Sequence, residues 1–345
     1  MDKKFLYEML TTMSVSGNEQ ELEHKIYDYM QGKVDCVESD ELSNVIACVN
    51  PDAEFKVLMT GHADEIGLMI TAVTSDGMLK VRKVGGVPVG CYPGHKVRVY
   101  TKDGVLYGAV VRNSSIAKNK DLEATDLTID IGAISKEEAL EHVRLGDAIT
   151  VDTDYREMLN DRITGRALDD RVGAFIVMQA IAQAKEKGVS IGAYAATTTG
   201  EETSMNGAYF TASRVKPNIA IAVDVTYTSD YPGVDEADTG DVQVGKGPVI
   251  CNAPAIHKIV NEKLAAAAEK RGIAIQWEAA GGRTGTDGDV MHKSGIGVPV
   301  ALVSIPLRYM HCPDEVVSLK DVQDCIDLLA QFLCDCTQDM NLKYF

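Results

Sequence analysis

The chain has 345 residues, 45% of them hydrophobic, so it can bury a sizeable core and exceeds the usual span of one compact domain. Its formal net charge of −17 is dispersed over many short stretches, which argues against polyanionic partners: neither nucleic acid nor an anionic membrane surface is expected. The opening residues Met1-Asp2-Lys3-Lys4-Phe5-Leu6-Tyr7-Glu8 hold no signal-length apolar run, and no later segment has membrane-spanning length, so a cytoplasmic protein is expected. Its eight cysteines, with no CxxC pair among them, are expected to be reduced thiols.

Phe5, Leu6, Met9, Leu10 and Met13 keep a helical period, and Leu22, Ile26 and Met30 resume it after Gly17-Asn18, predicting two opening helices. Apolar runs at 45–49 and 55–60, split by the turn Asn50-Pro51-Asp52, predict two strands. From about residue 70 to 163 the chain is rich in Gly and Val, in segments such as Leu79-Lys80-Val81-Arg82 and Lys96-Val97-Arg98-Val99-Tyr100. They predict a small β domain whose one clear helix opens on the capping box Ser135-Lys136-Glu137-Glu138. Beyond Gly165 the pattern predicts a helix over 172–187, strands over 191–199 and 219–225, a helix over 254–271, a strand over 298–304 and a helix over 319–336. Such alternation implies a parallel or mixed sheet covered by helices, and the α/β character of the opening makes this one α/β domain interrupted by an inserted β domain.

Ligands of open α/β sheets collect beyond the C-terminal strand ends, so polar residues after apolar runs are the candidates. The run ending in Gly61-His62-Ala63-Asp64 supplies an imidazole with a carboxylate two residues on, placed to orient the ring. Asp169-Asp170 stands before an apolar helix, where capping explains one acid better than two. Glu201-Glu202 follows the strand at 191–199; one of the two can ligate a metal while its neighbour acts as general base. Asp224 lies inside an apolar strand, where an unpaired carboxylate needs a cation or a hydrogen-bond cluster. His311 follows the last strand. Two imidazoles and at least three carboxylates, each at a strand end, suit two divalent ions sharing one carboxylate. His24, His95, His142 and His257 read as structural, and His292 as at most a neighbour of the site. The ligand set does not specify the substrate: a carboxypeptidase, dipeptidase or deacylase could use it, and paired carboxylates alone would serve a glycan hydrolase.

At these residues the chain resembles the tetrahedral aminopeptidases, the family of glutamyl, leucyl and deblocking aminopeptidases. The resemblance is carried by His62-Ala63-Asp64-Glu65-Ile66-Gly67, Leu168-Asp169-Asp170-Arg171-Val172-Gly173, Glu201-Glu202, Asp224-Val225-Thr226 with Pro232-Gly233, Gly245-Lys246-Gly247-Pro248, Gly285-Thr286-Asp287 and Ser304-Ile305-Pro306-Leu307-Arg308-Tyr309-Met310-His311. It implies a zinc-aminopeptidase-like α/β domain, residues 1–70 and 164–345, with a small barrel-like β insert at 71–163 for dimerisation. It implies two metal ions, zinc or cobalt, bridged by Asp169, with Glu202 and His311 completing one and His62 and Asp224 the other. Glu201 would be the general base, Asp64 would orient His62, and the peptide bond between Asp169 and Asp170 would be cis. The partners implied are peptides with a free N-terminus and further copies of the chain, built from dimers into a tetrahedral dodecamer. Thr197-Thr198-Thr199-Gly200 before Glu201 departs from the more apolar family pattern, and Val111-Arg112-Asn113-Ser114-Ser115 lacks the family's Pro-Pro-His.

Overall fold

A computed structural model describes residues 1–345, apart from the side chains of Asp238 and Thr239. Its centre is an eight-stranded mixed sheet in the spatial order Cys36–Ser39, Val45–Val49, Gly192–Thr198, Lys56–His62, Ile219–Tyr227, Val300–Leu307, Val249–Asn252, Gln276–Ala279. The four inner strands, from Gly192–Thr198 to Val300–Leu307, are mutually parallel. Their C-terminal ends therefore open at the same sheet edge.

The inner strands are buried on both faces and read as continuous apolar runs, as parallel strands between helical layers do. Val57 and Met59 pack into one cluster with Phe175, Val223 and Leu329, while Leu58 packs into another with Ala222, Met291 and Leu302. The first face is covered by the helices Gln20–Met30, Leu168–Glu186, Lys258–Arg271 and Leu319–Asp335, with Lys3–Thr11 packed on Leu168–Glu186. Gly61 lets the strand press backbone to backbone against Leu168–Glu186: a Cβ there would lie 2.4 Å from the carbonyl carbon of Gly173 and 2.5 Å from the nitrogen of Ala174. That approach puts His62, the next residue, beside the start of the helix.

A closed six-stranded barrel is inserted, in the order Gly67–Val73, Leu79–Val84, Thr128–Asp130, Gly104–Val110, Lys96–Thr101, Ala148–Val151. It has its own core, including Leu68, Ile70, Val81, Val97, Val99 and Ile149. Ser135 caps its helix Lys136–His142 by accepting from the Glu138 amide, as the capping box predicts. Outside the barrel, Arg156–Met158, Arg162–Gly165 and Glu315–Ser318 form a three-stranded antiparallel sheet.

Some expectations need correction. The helix expected over 254–271 runs from Lys258 to Arg271, because Ala253 to Ile256 make a turn closed by the Ile256 amide donating to the Ala253 carbonyl. The strands Cys36–Ser39, Val249–Asn252 and Gln276–Ala279, four residues each, are too short to show a period. The first of these overturns the expectation of eight reduced thiols: antiparallel register sets Cys36 opposite Cys48 with Cα atoms 5.3 Å apart, and the two form a disulfide. The other six cysteines are free. No helix of the described residues is long and apolar enough to cross a membrane.

Candidate metal centre

His62 is the last residue of Lys56–His62, and Asp224 lies near the end of Ile219–Tyr227. Glu201 and Glu202 sit in the turn after Gly192–Thr198, and His311 in the loop after Val300–Leu307. The four parallel strand ends thus bring together residues far apart in sequence. Asp169 arrives from the start of Leu168–Glu186, where it and Asp170 depart from helical geometry and share a cis peptide bond.

Asp169 lies between the imidazoles. Its Oδ1 is 3.1 Å from His62 Nε2 and its Oδ2 is 3.1 Å from His311 Nε2. Glu202 Oε1 is 3.4 Å from His311 Nε2, and Glu201 Oε2 and Asp224 Oδ1 are each 3.9 Å from His62 Nε2. Ligand atoms of His62, Asp169 and Glu202 all lie within 4.8 Å of one another, as do those of His62, Asp170 and Asp224. His62 Nδ1 is 3.0 Å from the carbonyl oxygen of Asp64, and His311 Nδ1 is 3.1 Å from that of Gly86. A carbonyl can only accept, so both Nδ1 atoms carry hydrogen, and in the neutral rings both Nε2 lone pairs face the carboxylates.

Asp64 therefore orients His62 through its backbone oxygen, while its carboxylate is 3.5 Å from the ring. That carboxylate has a further task, accepting from the Glu201 amide at 3.0 Å and the Glu202 amide at 3.2 Å, which fixes the turn carrying both glutamates. Asp170 accepts from the His62 amide at 3.1 Å and from the Gly173 amide at 3.1 Å. Only glycine fits at 173, because a Cβ there would lie 2.3 Å from the Asp170 carboxylate. Glu315 joins the two loops, accepting from His311 N at 2.7 Å and Asp169 N at 3.2 Å; it holds His311 in a left-handed backbone conformation, φ 65°. The threonines before Glu201 are anchored one by one: Thr197 donates to Glu23, Thr198 to Asp287 at 2.6 Å, and Thr199 to Asn44 at 3.1 Å. Asp287 and Glu315 follow no long apolar run, and their hydrogen bonds to distant segments leave no periodic trace. His292 bonds the Gly288 carbonyl and does not line the cavity.

Burial and mutual repulsion dominate the charges. Glu201 is pushed up to about 10, first by burial and then, against the attraction of His62, by Asp224, Asp287 and Glu202. Burial likewise lifts Asp170, Asp224 and Glu315 well above the carboxylate range and Asp287 to about 6. Burial pulls His311 down, yet Asp169 and Glu202 outweigh it and raise it to about 12. The same contest, burial against Asp169 and Asp64, raises His62 well above its ordinary value. Burial would also raise Asp169, but the two imidazoles hold it well below the usual range. Glu201 Oε1 is buried with no hydrogen-bond partner. Carboxylates in such excess, with an orphaned oxygen among them, are what cations would neutralise, and the oxygen and imidazole donors suit divalent metals. The residues fit divalent metal ions. His62, Asp169, Glu201, Glu202, Asp224 and His311 line a cavity of about 270 Å³.

Comparison with known proteins bears on this arrangement. Residues 43–328 match the family described as M42 glutamyl aminopeptidase. A lysyl aminopeptidase of Pyrococcus furiosus is 30% identical over 343 residues, 96% of this chain and 97% of its own. An aminopeptidase of Desulfurococcus kamchatkensis has a TM-score of 0.91 at 31% identity, covering 97% of this chain and 95% of its own. The Pyrococcus horikoshii TET1 peptidase, which can assemble into a tetrahedron or a large octahedral shell, has a TM-score of 0.86 at 30% identity, covering 97% and 99%. The match to the family over most of the chain, with the same fold in these peptidases, makes the protein a member of the M42 glutamyl aminopeptidase family.

Proposed function

We propose that the chain is an aminopeptidase with a dinuclear metal centre, in which Glu201 is the general base. Asp169 would bridge two ions, zinc or cobalt, with His311 and Glu202 completing one and His62 and Asp224 the other. The observation that carries this reading is Asp169 itself, with one imidazole 3.1 Å from each of its two oxygens.

Bound there, the ions would supply Lewis acidity, acidifying a water and polarising the scissile carbonyl. The protein's own groups do the rest. Glu201, buried with one free oxygen and ionised once cations neutralise the surrounding carboxylates, takes the proton of the attacking water and returns it to the leaving amine. Asp64 holds the Glu201 and Glu202 amides, so base and ligand keep a fixed relation. The carboxylate-lined cavity favours a free α-ammonium over an acylated nitrogen, which restricts cleavage to the first residue. In this reading residues 1–70 and 164–345 are the catalytic domain, and 71–163 an insert for dimerisation and assembly. The chain works in the cytoplasm as a homo-oligomer, a dodecamer by analogy with the tetrahedral peptidases.

The test is hydrolysis of aminoacyl p-nitroanilides, free and N-acetylated, by metal-loaded and chelator-treated protein. Metal-dependent release from free amines only is expected. Equal release from acetylated substrates would move the assignment to another metallohydrolase.

A further inference from the structure

The sheet face that carries Asp224 continues past the metal centre. Asp224 stands opposite Ser304, Ser304 opposite Val249, and Cys251 opposite Glu278 on the edge strand. Cross-strand partners share a face and side chains alternate with a period of two, so Thr226, Ser304, Cys251 and Glu278 line up on the Asp224 side. A cavity of about 180 Å³ opens over this row. It shares Val225, Thr226, Tyr227, Thr284 and Thr286 with the cavity that holds His62 and Glu201. One water needs roughly 10–15 Å³ of such space, so a long side chain has room.

Glu278 lines this cavity, partly buried on the far side from the metal ligands. Thr226 Oγ1 donates to its Oε2, Ser304 Oγ donates to its Oε1 at 2.9 Å, and the Cys251 thiol is a third neighbour. Burial raises the Glu278 carboxyl above its ordinary value, and these three donors draw it partly back. All three are neutral, so the carboxylate is solvated by the protein without a counter-charge. Arg283, from the loop beside the cavity, does not supply one: its side chain is 74% exposed and its Nε donates to Asp289 at 3.1 Å.

We propose that this cavity receives the side chain of the substrate's N-terminal residue and that Glu278 selects lysine or arginine there. The assignment rests on the aminopeptidase reading and adds its side-chain preference. An ammonium or guanidinium at the end of a long, apolar stem would pass the Val225 to Tyr227 segment and supply the charge that Glu278 lacks. A glutamate side chain, the one in the family's name, would set two carboxylates together. A leucine side chain would fill space and leave Glu278 unpaired.

The experiment is kcat/KM on the p-nitroanilides of lysine, arginine, leucine and glutamate, for metal-loaded wild type and for Glu278→Gln. Wild type is expected to prefer lysine and arginine over leucine and to turn glutamate over least. Glu278→Gln keeps the shape and removes the charge, and should lower the lysine-to-leucine ratio by about thirtyfold or more, through loss on lysine. A wild-type preference for leucine or glutamate overturns the proposal while leaving the aminopeptidase reading intact, and this arm does not depend on how the variant folds. An equal fall on lysine and leucine in Glu278→Gln also overturns it, assigning Glu278 to the scaffold or to the α-amino group. No turnover of any free-amine substrate overturns the aminopeptidase reading, and the pocket assignment falls with it.

Discussion

Glu201 and Glu202 are adjacent yet differently placed: Glu202 Oε1 approaches His311, whereas Glu201 keeps one buried oxygen without a partner. Glu201→Gln should therefore lower kcat by about 10²–10⁴-fold, the usual worth of a general base, while metal content measured on the purified protein stays the same. Turnover within tenfold of wild type, or loss of metal, would refute that division of labour. A second buried carboxyl, Glu23, gives a pH effect away from the candidate metal centre. It is fully buried, accepts from Thr197, leaves Oε1 unpartnered, and is held by burial well above its ordinary 4.5. Above pH 4.5 the unfolded chain releases this proton and the folded chain keeps it, so the folded state binds more protons and stability falls as pH rises toward the folded value. Glu23→Gln removes that slope. In urea unfolding it should match wild type near pH 4.5 and exceed it increasingly from pH 6 to 8; parallel profiles would contradict this.

The strand ends are fixed in place by a buried ion cluster. Glu65, three residues after His62, receives Arg166 and Arg171, accepts from Ser14 N at 3.1 Å and lies 2% exposed. Arg171 also donates to the Leu10 carbonyl at 3.1 Å and to Ser14 Oγ at 2.8 Å. The cluster thus ties the first helix, the His62 strand and the start of Leu168–Glu186 together. Glu65→Gln leaves two buried guanidinium groups short of one charge and should cost about 3–5 kcal/mol in urea unfolding; a loss under about 1 kcal/mol would show the cluster to be dispensable. Sequence reading reached the parallel strands and the residues at their ends because long apolar runs stop there in polar residues: His62, Glu201 and His311 were visible for that reason. It could not reach contacts that depend on register. Glu278 lies on a strand of four residues, and the Cys36–Cys48 pairing exists only once Cys36–Ser39 is aligned on its neighbour. Glu315 acts on two amides from different loops, a relation that no local pattern encodes.

The candidate ligands His62, Asp169, Glu202, Asp224 and His311 all belong to one chain, whereas the insert turns apolar side chains outward. On the barrel strand Gly104–Val110, Val105 is 46% and Tyr107 62% exposed, on the same face, and Ile134 and Leu145 are 86% and 62% exposed. Closure leaves the barrel no free edge to pair, so any association through it must use such side chains. Each chain also carries a net charge of −17, which opposes assembly at long range and is screened by salt. Light scattering should therefore give a multiple of the 37.3 kDa chain at roughly 0.15 M salt, where the Debye length is about 8 Å, and smaller species at about 0.01 M. Tyr107→Glu, which sets a charge into the apolar face without touching the centre, should shift the mass downward at both salt concentrations. Because one chain holds the whole ligand set, the smaller species should still hydrolyse p-nitroanilides. Loss of turnover in step with mass would mean that a neighbouring copy shapes the cavity, and an unchanged mass would place the contact elsewhere on the molecule.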